Sequence, residues 1–169
     1  KRTDDKEERK ALLAGKVEDM LNTVVRQIAF CQFEVAVHDE RKEGELTAER
    51  INEIWIDVQE KSLGSAIKFS DEYRYYWQYI PHFIHTPFYV YAYAFGDCLV
   101  NSLYAVYQQH QADGKAKEFE EKYIAMLKAG GTLRHKELLA PFGLDASNPD
   151  FWQQGLDIIS SMIDELETM

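Results

Sequence analysis

His82 and His85 lie three residues apart between Pro81 and Pro87, in a stretch over 69–95 that also holds Tyr73, Tyr75, Tyr76, Trp77, Tyr79, Phe83, Phe88, Tyr89, Tyr91, Tyr93 and Phe95. Two chemistries use such residues. Zinc ligation in its compact form needs two histidines one helical turn apart, as in His-Glu-x-x-His, with a third ligand from elsewhere. The His82/His85 spacing is not that, and the two prolines disfavour a regular helix between them, so no metal ligand is assigned. The second chemistry is hydrogen bonding to a substrate carbonyl, because histidine and tyrosine combine an apolar body with a donor that can be aimed. On a helix Tyr89 and Tyr93 share one face, with His85 just before it. A donor so placed can stabilise an oxyanion as it forms, worth about 3 kcal/mol. Tyr91 would point about 160° away from both on a regular helix. The competing reading is that these aromatics are core, since aromatic stripes at helical spacing usually pack.

Other polar residues offer less. His38, His110 and His135 sit among charged neighbours and read as solvated, and Glu18 and Glu34, considered as a carboxylate pair, read as ordinary helix surface. The sequence contains no glycine-rich phosphate loop, no Gly-x-Ser-x-Gly elbow and no Cys-x-x-Cys.

Helices must position the cluster. Leu13, Val17, Met20, Leu21, Val24, Ile28 and Cys31 recur at steps of three and four, which predicts one long helix running towards Val35 and ending at the charged run 39–44. No natural helix start precedes it, so the chain is expected to be a fragment. Thr47 caps a second helix with Ile51, Ile54, Trp55 and Val58 on its buried face, ending at Gly64. Thr86-Pro87 predicts the start of a third, which runs to Asp113-Gly114. A fourth with Phe119, Tyr123 and Met126 is closed by Gly130-Gly131, Thr132 caps a short fifth, and Asn148-Pro149 opens a last amphipathic one. The expected fold is all-α, a bundle of about six helices, with residues 1–169 forming a single helical domain.

Composition narrows the function classes. The 169 residues are 46% hydrophobic, enough for one domain with a core, and carry 19 basic against 29 acidic residues for a net charge of -10. Such a balance repels phosphate backbones and anionic lipid, so neither nucleic acid nor membrane is an expected partner. Cys31 and Cys98 lie far apart in apolar helical stretches and read as reduced thiols of a cytoplasmic protein. The charged opening lacks the apolar core of a signal peptide, and no apolar run is long enough to cross a bilayer.

Several segments resemble a known family. Ala14-Gly15-Lys16-Val17-Glu18-Asp19-Met20, Val25-Arg26-Gln27-Ile28-Ala29-Phe30 and Gly44-Glu45-Leu46-Thr47 resemble the helices that follow the metal site in zinc oligopeptidases of the oligoendopeptidase F type. Ile80-Pro81-His82-Phe83 with 88–94 is similar to that family's histidine and tyrosine block, and Ala129-Gly130-Gly131-Thr132 and 138–143 to its closing region. The resemblance covers essentially the whole chain and implies the C-terminal part of a metalloendopeptidase that cleaves short peptides. It further implies zinc held by His-Glu-x-x-His and a glutamate, all outside this chain, so the chain alone is expected to be inactive. By its Pro-His-aromatic context the family histidine maps onto His82, and the tyrosines onto Tyr89, Tyr91 and Tyr93. His82 and Tyr93, then His85 and Tyr89, are the expected catalytic residues, with Tyr91 and Phe88 as substrate-binding neighbours.

The expected partners are short peptides, the remaining N-terminal part of the protein, and a second copy of the chain if the channel-facing aromatics are left exposed. The rival expectation is a non-catalytic helical module that docks a peptide or partner helix on the aromatic patch.

Overall fold

The structure, a computed structural model, describes residues 4–169. Among these the chain is all-α: α1 Lys6–Thr23, α2 Val25–Glu40, α3 Ala48–Leu63, α4 His82–His85, α5 Tyr91–Ala112, α6 Ala116–Ala129, α7 His135–Leu139 and α8 Pro149–Glu167, with short 3-10 helices between them. The chain divides into two compact units, one taking in the residues up to Glu18 and Gly96–Met169, the other Asp19–Phe95.

The single long helix expected at the start is two helices meeting at the fully buried Val24 (φ -100°, ψ -69°). Backbone hydrogen bonding passes through the break, from Val24 N–H to the Met20 carbonyl at 2.8 Å and from Ile28 N–H to the Val24 carbonyl at 3.0 Å. The apolar stripe is unbroken across Val24, so the local distortion that separates the two helices is not encoded in it.

In the Asp19–Phe95 unit, α2 and α3 form a helical hairpin. Thr47 caps α3 as expected, its hydroxyl accepting the Arg50 N–H at 3.2 Å, and Gly64 ends it at φ 66°, where a side chain would be strained. The hairpin buries Phe30, Phe33, Ile54 and Trp55. Trp55 donates its indole N–H to the Tyr73 carbonyl at 3.0 Å, and Trp77 donates to Asn52 Oδ1 at 2.8 Å. These two bonds fasten onto α3 a nine-residue 3-10 helix, Asp71–Tyr79, that periodicity did not predict. The linker expected between Pro81 and Pro87 contains one helical turn, α4, started by the helical backbone of Pro81.

The helix expected from Pro87 instead begins at Tyr91. Phe88 sits at φ 59°, a left-handed conformation that interrupts any helix, and Tyr89 N–H closes a turn onto the Thr86 carbonyl at 3.3 Å. In the second unit Leu103, Phe119, Leu139, Phe142, Leu144 and Phe151 form the core. Gly155 of α8 lets that helix come close to α5, where an added Cβ would stand 3.0 Å from the Cys98 carbonyl oxygen. Asn148 caps α8 as expected, accepting the Asp150 N–H at 3.0 Å. Thr132 does not cap α7: its hydroxyl donates back to the Ala129 carbonyl at 2.6 Å, and the N-cap of α7 is Arg134, whose N–H is accepted by Glu137. Both cysteines are free, and burial pushes each thiol pKa up. Among the described residues no helix is long and apolar enough to cross a membrane.

Candidate functional site

Two apolar anchors hold the histidine and tyrosine segments of the Asp19–Phe95 unit. Phe83, beside His82, packs its ring on Phe33 at 5.1 Å and Phe30 at 5.8 Å between centroids, and Val90, beside Tyr89, is fully buried in the same core. His82 and the neighbouring tyrosines are thereby carried on fixed backbone while their polar ends stay accessible.

His82 Nε2 and the Tyr93 hydroxyl lie 3.1 Å apart, in hydrogen-bond contact. The two rings meet edge to face, with centroids 5.8 Å apart and planes at 87°. Tyr89 completes the group, parallel to His82 at 6.5 Å and perpendicular to Tyr93 at 5.5 Å. Tyr89 is 51% and Tyr93 39% exposed, so both phenols can be reached by a ligand. The tautomer decides what the pair offers. With Nε2 protonated, the imidazole donates to the phenol oxygen and leaves the phenolic proton free for a third partner; with Nε2 bare, the phenol donates to the ring.

The structure thus brings His82, Tyr89 and Tyr93 together. Tyr89 takes its place from a turn before α5 and not from a shared helical face. Neither the Tyr91 nor the His85 side chain makes a ring contact or hydrogen bond with that group among the described residues; both are exposed. Phe88, itself exposed, packs on His38, with ring centroids 4.7 Å apart.

Glu34 departs from the sequence reading. It is 2% exposed, where a solvated surface position is expected, while Glu18 is exposed. Glu34 Oε1 accepts the backbone N–H of Phe88 at 2.7 Å, and its Oε2 is buried without a hydrogen-bond partner. The signal was on its own helix face: Phe30 and Cys31, four and three positions before it, and Val37, three after, all pack in the core.

Among the described residues no three His, Cys, Asp or Glu side chains are grouped to hold a metal ion. The donor set around His82 is phenolic, with no carboxylate or second imidazole converging on Nε2, and does not fit zinc.

A family profile described as "Peptidase family M3" matches residues 1–158. The chain belongs to peptidase family M3. It is 32% identical over 170 residues to the plasmid oligoendopeptidase F of Lactococcus lactis subsp. cremoris, covering 100% of this chain and 27% of that protein. Oligopeptidase PepF of Bacillus subtilis (strain 168) is 30% identical over 167 residues, 98% of this chain and 24% of its own length. The crystal structure of oligoendopeptidase-F from Enterococcus faecium superposes with a TM-score of 0.81 at 25% identity, over 98% of this chain and 31% of that one. The chain therefore has the all-α fold of part of an M3 peptidase, and spans under a third of the length of these relatives.

Proposed function

We propose that this chain is the C-terminal, substrate-facing part of a zinc-dependent oligoendopeptidase that hydrolyses short peptides, and that it is inactive alone because zinc and its ligands belong to the rest of the protein. The observation that carries the reading is the His82–Tyr93 hydrogen bond at 3.1 Å with Tyr89 packed against both rings. Zinc, bound elsewhere, supplies Lewis-acid chemistry. The residues of this chain act on the peptide itself. Tyr93 donates its phenolic proton to the scissile carbonyl oxygen as negative charge develops there, and His82, protonated at Nε2, holds the phenol oxygen in place. Tyr89 shields the pair and offers a second donor, while Tyr91, His85 and Phe88 contact the peptide beyond the reacting bond.

In this account residues 1–169 form a single helical domain of a cytoplasmic enzyme. Removal of its other part leaves aromatics such as Tyr75, Tyr76 and Tyr79 exposed, and the isolated chain pairs with a second copy through them. In the intact enzyme, Tyr93→Phe lowers kcat by about 100-fold with KM nearly unchanged, because the lost donor acts mainly in the transition state. Steady-state kinetics on a quenched fluorescent peptide decide it: a rise in KM with kcat preserved would remove the oxyanion role.

A further inference from the structure

We infer that Glu34 is a positioning residue for the histidine and tyrosine group, acting through the backbone of Phe88; this rests on the function proposed above only for its catalytic consequence. Three observations converge. Glu34 is buried, and while Oε1 accepts the backbone N–H of Phe88 at 2.7 Å, Oε2 has no hydrogen-bond partner. Phe88 is the one described non-glycine residue at positive φ, 59°, a conformation that an L side chain keeps only when its surroundings impose it. And Phe88 stands between α4, which carries His82, and the buried Val90, which precedes the start of α5 with Tyr93.

The left-handed turn at Phe88 decides where α5 starts. Were Phe88 to relax to ordinary helical or extended φ, residues 89–93 would rotate as a block, and the 3.1 Å approach of the Tyr93 hydroxyl to His82 Nε2 would be lost. A carboxylate is suited to the task, because a charged acceptor binds an N–H more tightly than a neutral one and a buried one has no water to turn to. The ring of Phe88 on His38, one helical turn from Glu34 on α2, braces the same turn from the side. Glu34 binds the backbone of Phe88 and works by fixing the chain that bears the three side chains.

The experiment is nuclear magnetic resonance on this chain, following the ring nitrogens of His82 and the contacts between its ring and Tyr93, with circular dichroism as the control for folding. Glu34→Gln, which retains a carbonyl acceptor, should keep the His82–Tyr93 contacts; Glu34→Ala should lose them. Adding Phe88→Gly to Glu34→Ala should restore them, because glycine adopts the left-handed turn without an external hold. Persistence of the contacts in Glu34→Ala overturns the proposal. So does a Glu34→Ala protein, folded or not, that Phe88→Gly fails to rescue, since a merely structural carboxylate is indifferent to the backbone freedom of residue 88. In the intact peptidase Glu34→Ala should then lower kcat by about 100-fold, Glu34→Gln by less than about threefold. Contacts that respond as stated while kcat does not would leave Glu34 as the positioning residue and remove the catalytic role of the group it positions.

Discussion

Arg50 ties the α2–α3 hairpin at the end where the 41–47 loop joins the two helices. Its guanidinium donates to both carboxylate oxygens of Glu40, at 2.6 and 2.9 Å, and to Glu53 at 2.9 Å. The hydrogen bond from Arg50 is the main reason that the Glu40 carboxyl titrates below its ordinary value of 4.5. A lowered carboxyl pKa contributes stability that is present above the ordinary value and lost as pH falls through the folded one. Arg50→Met should therefore flatten the acid limb of the stability curve, its midpoint temperature falling less than that of the native chain between pH 5 and pH 3, with thermal melts as the check. The pair is solvated, so the change at neutral pH should be small. Thr47, Asn148 and Gly64 were readable because a cap or a helix stop is a local bargain among three or four neighbouring residues. Glu34 was misread although Phe30, Cys31 and Val37 on its face are core residues; what could not be read locally is its acceptor role, because the N–H it binds arrives from residue 88. His82, Tyr89 and Tyr93 were singled out by residue type and by resemblance; the contacts among them could not be, because they depend on the turn at Phe88.

Among the helices, α8 meets α5 at Gly155. A methyl there would approach the Cys98 carbonyl oxygen at 3.0 Å and its Cα at 3.1 Å, and backbone atoms cannot swing away as a side-chain tip would. Glycine to alanine in a helix ordinarily gains up to about 1 kcal/mol, whereas forcing apart a packed contact costs about 1 to 3 kcal/mol. The clash should win, and Gly155→Ala is expected to destabilise the chain by about 1 kcal/mol in urea titration; a gain in stability would show that α8 can slide. Trp55, 1% exposed, packed on Phe30 and Phe33 and bonded to Tyr73, should cost about 3 to 5 kcal/mol when replaced by alanine. Most helices were legible from their 3.6-residue periodicity. The 3-10 helix Asp71–Tyr79 was not, because its three-residue turn spreads aromatics around the axis and its hold comes from the indole bonds of Trp55 and Trp77 to other elements. The start of α5 was misread for a related reason: Thr86-Pro87 has the residues of a helix start, but the backbone at Phe88 turns left-handed before a helix can propagate.

At the scale of the whole molecule, the chain is an all-α part of an M3 peptidase that spans 27% of the plasmid oligoendopeptidase F of Lactococcus lactis. In the account given above it supplies hydrogen-bond donors to a peptide carbonyl and the rest of the protein supplies the metal. That division of labour is tested most directly by the turnover of an internally quenched peptide in the presence of zinc, for this chain and for the longer gene product that contains it. The account predicts turnover by the longer product and none by the chain alone. Zinc-dependent turnover by the isolated chain would contradict it, and would make His82 and His85 ligands in place of donors.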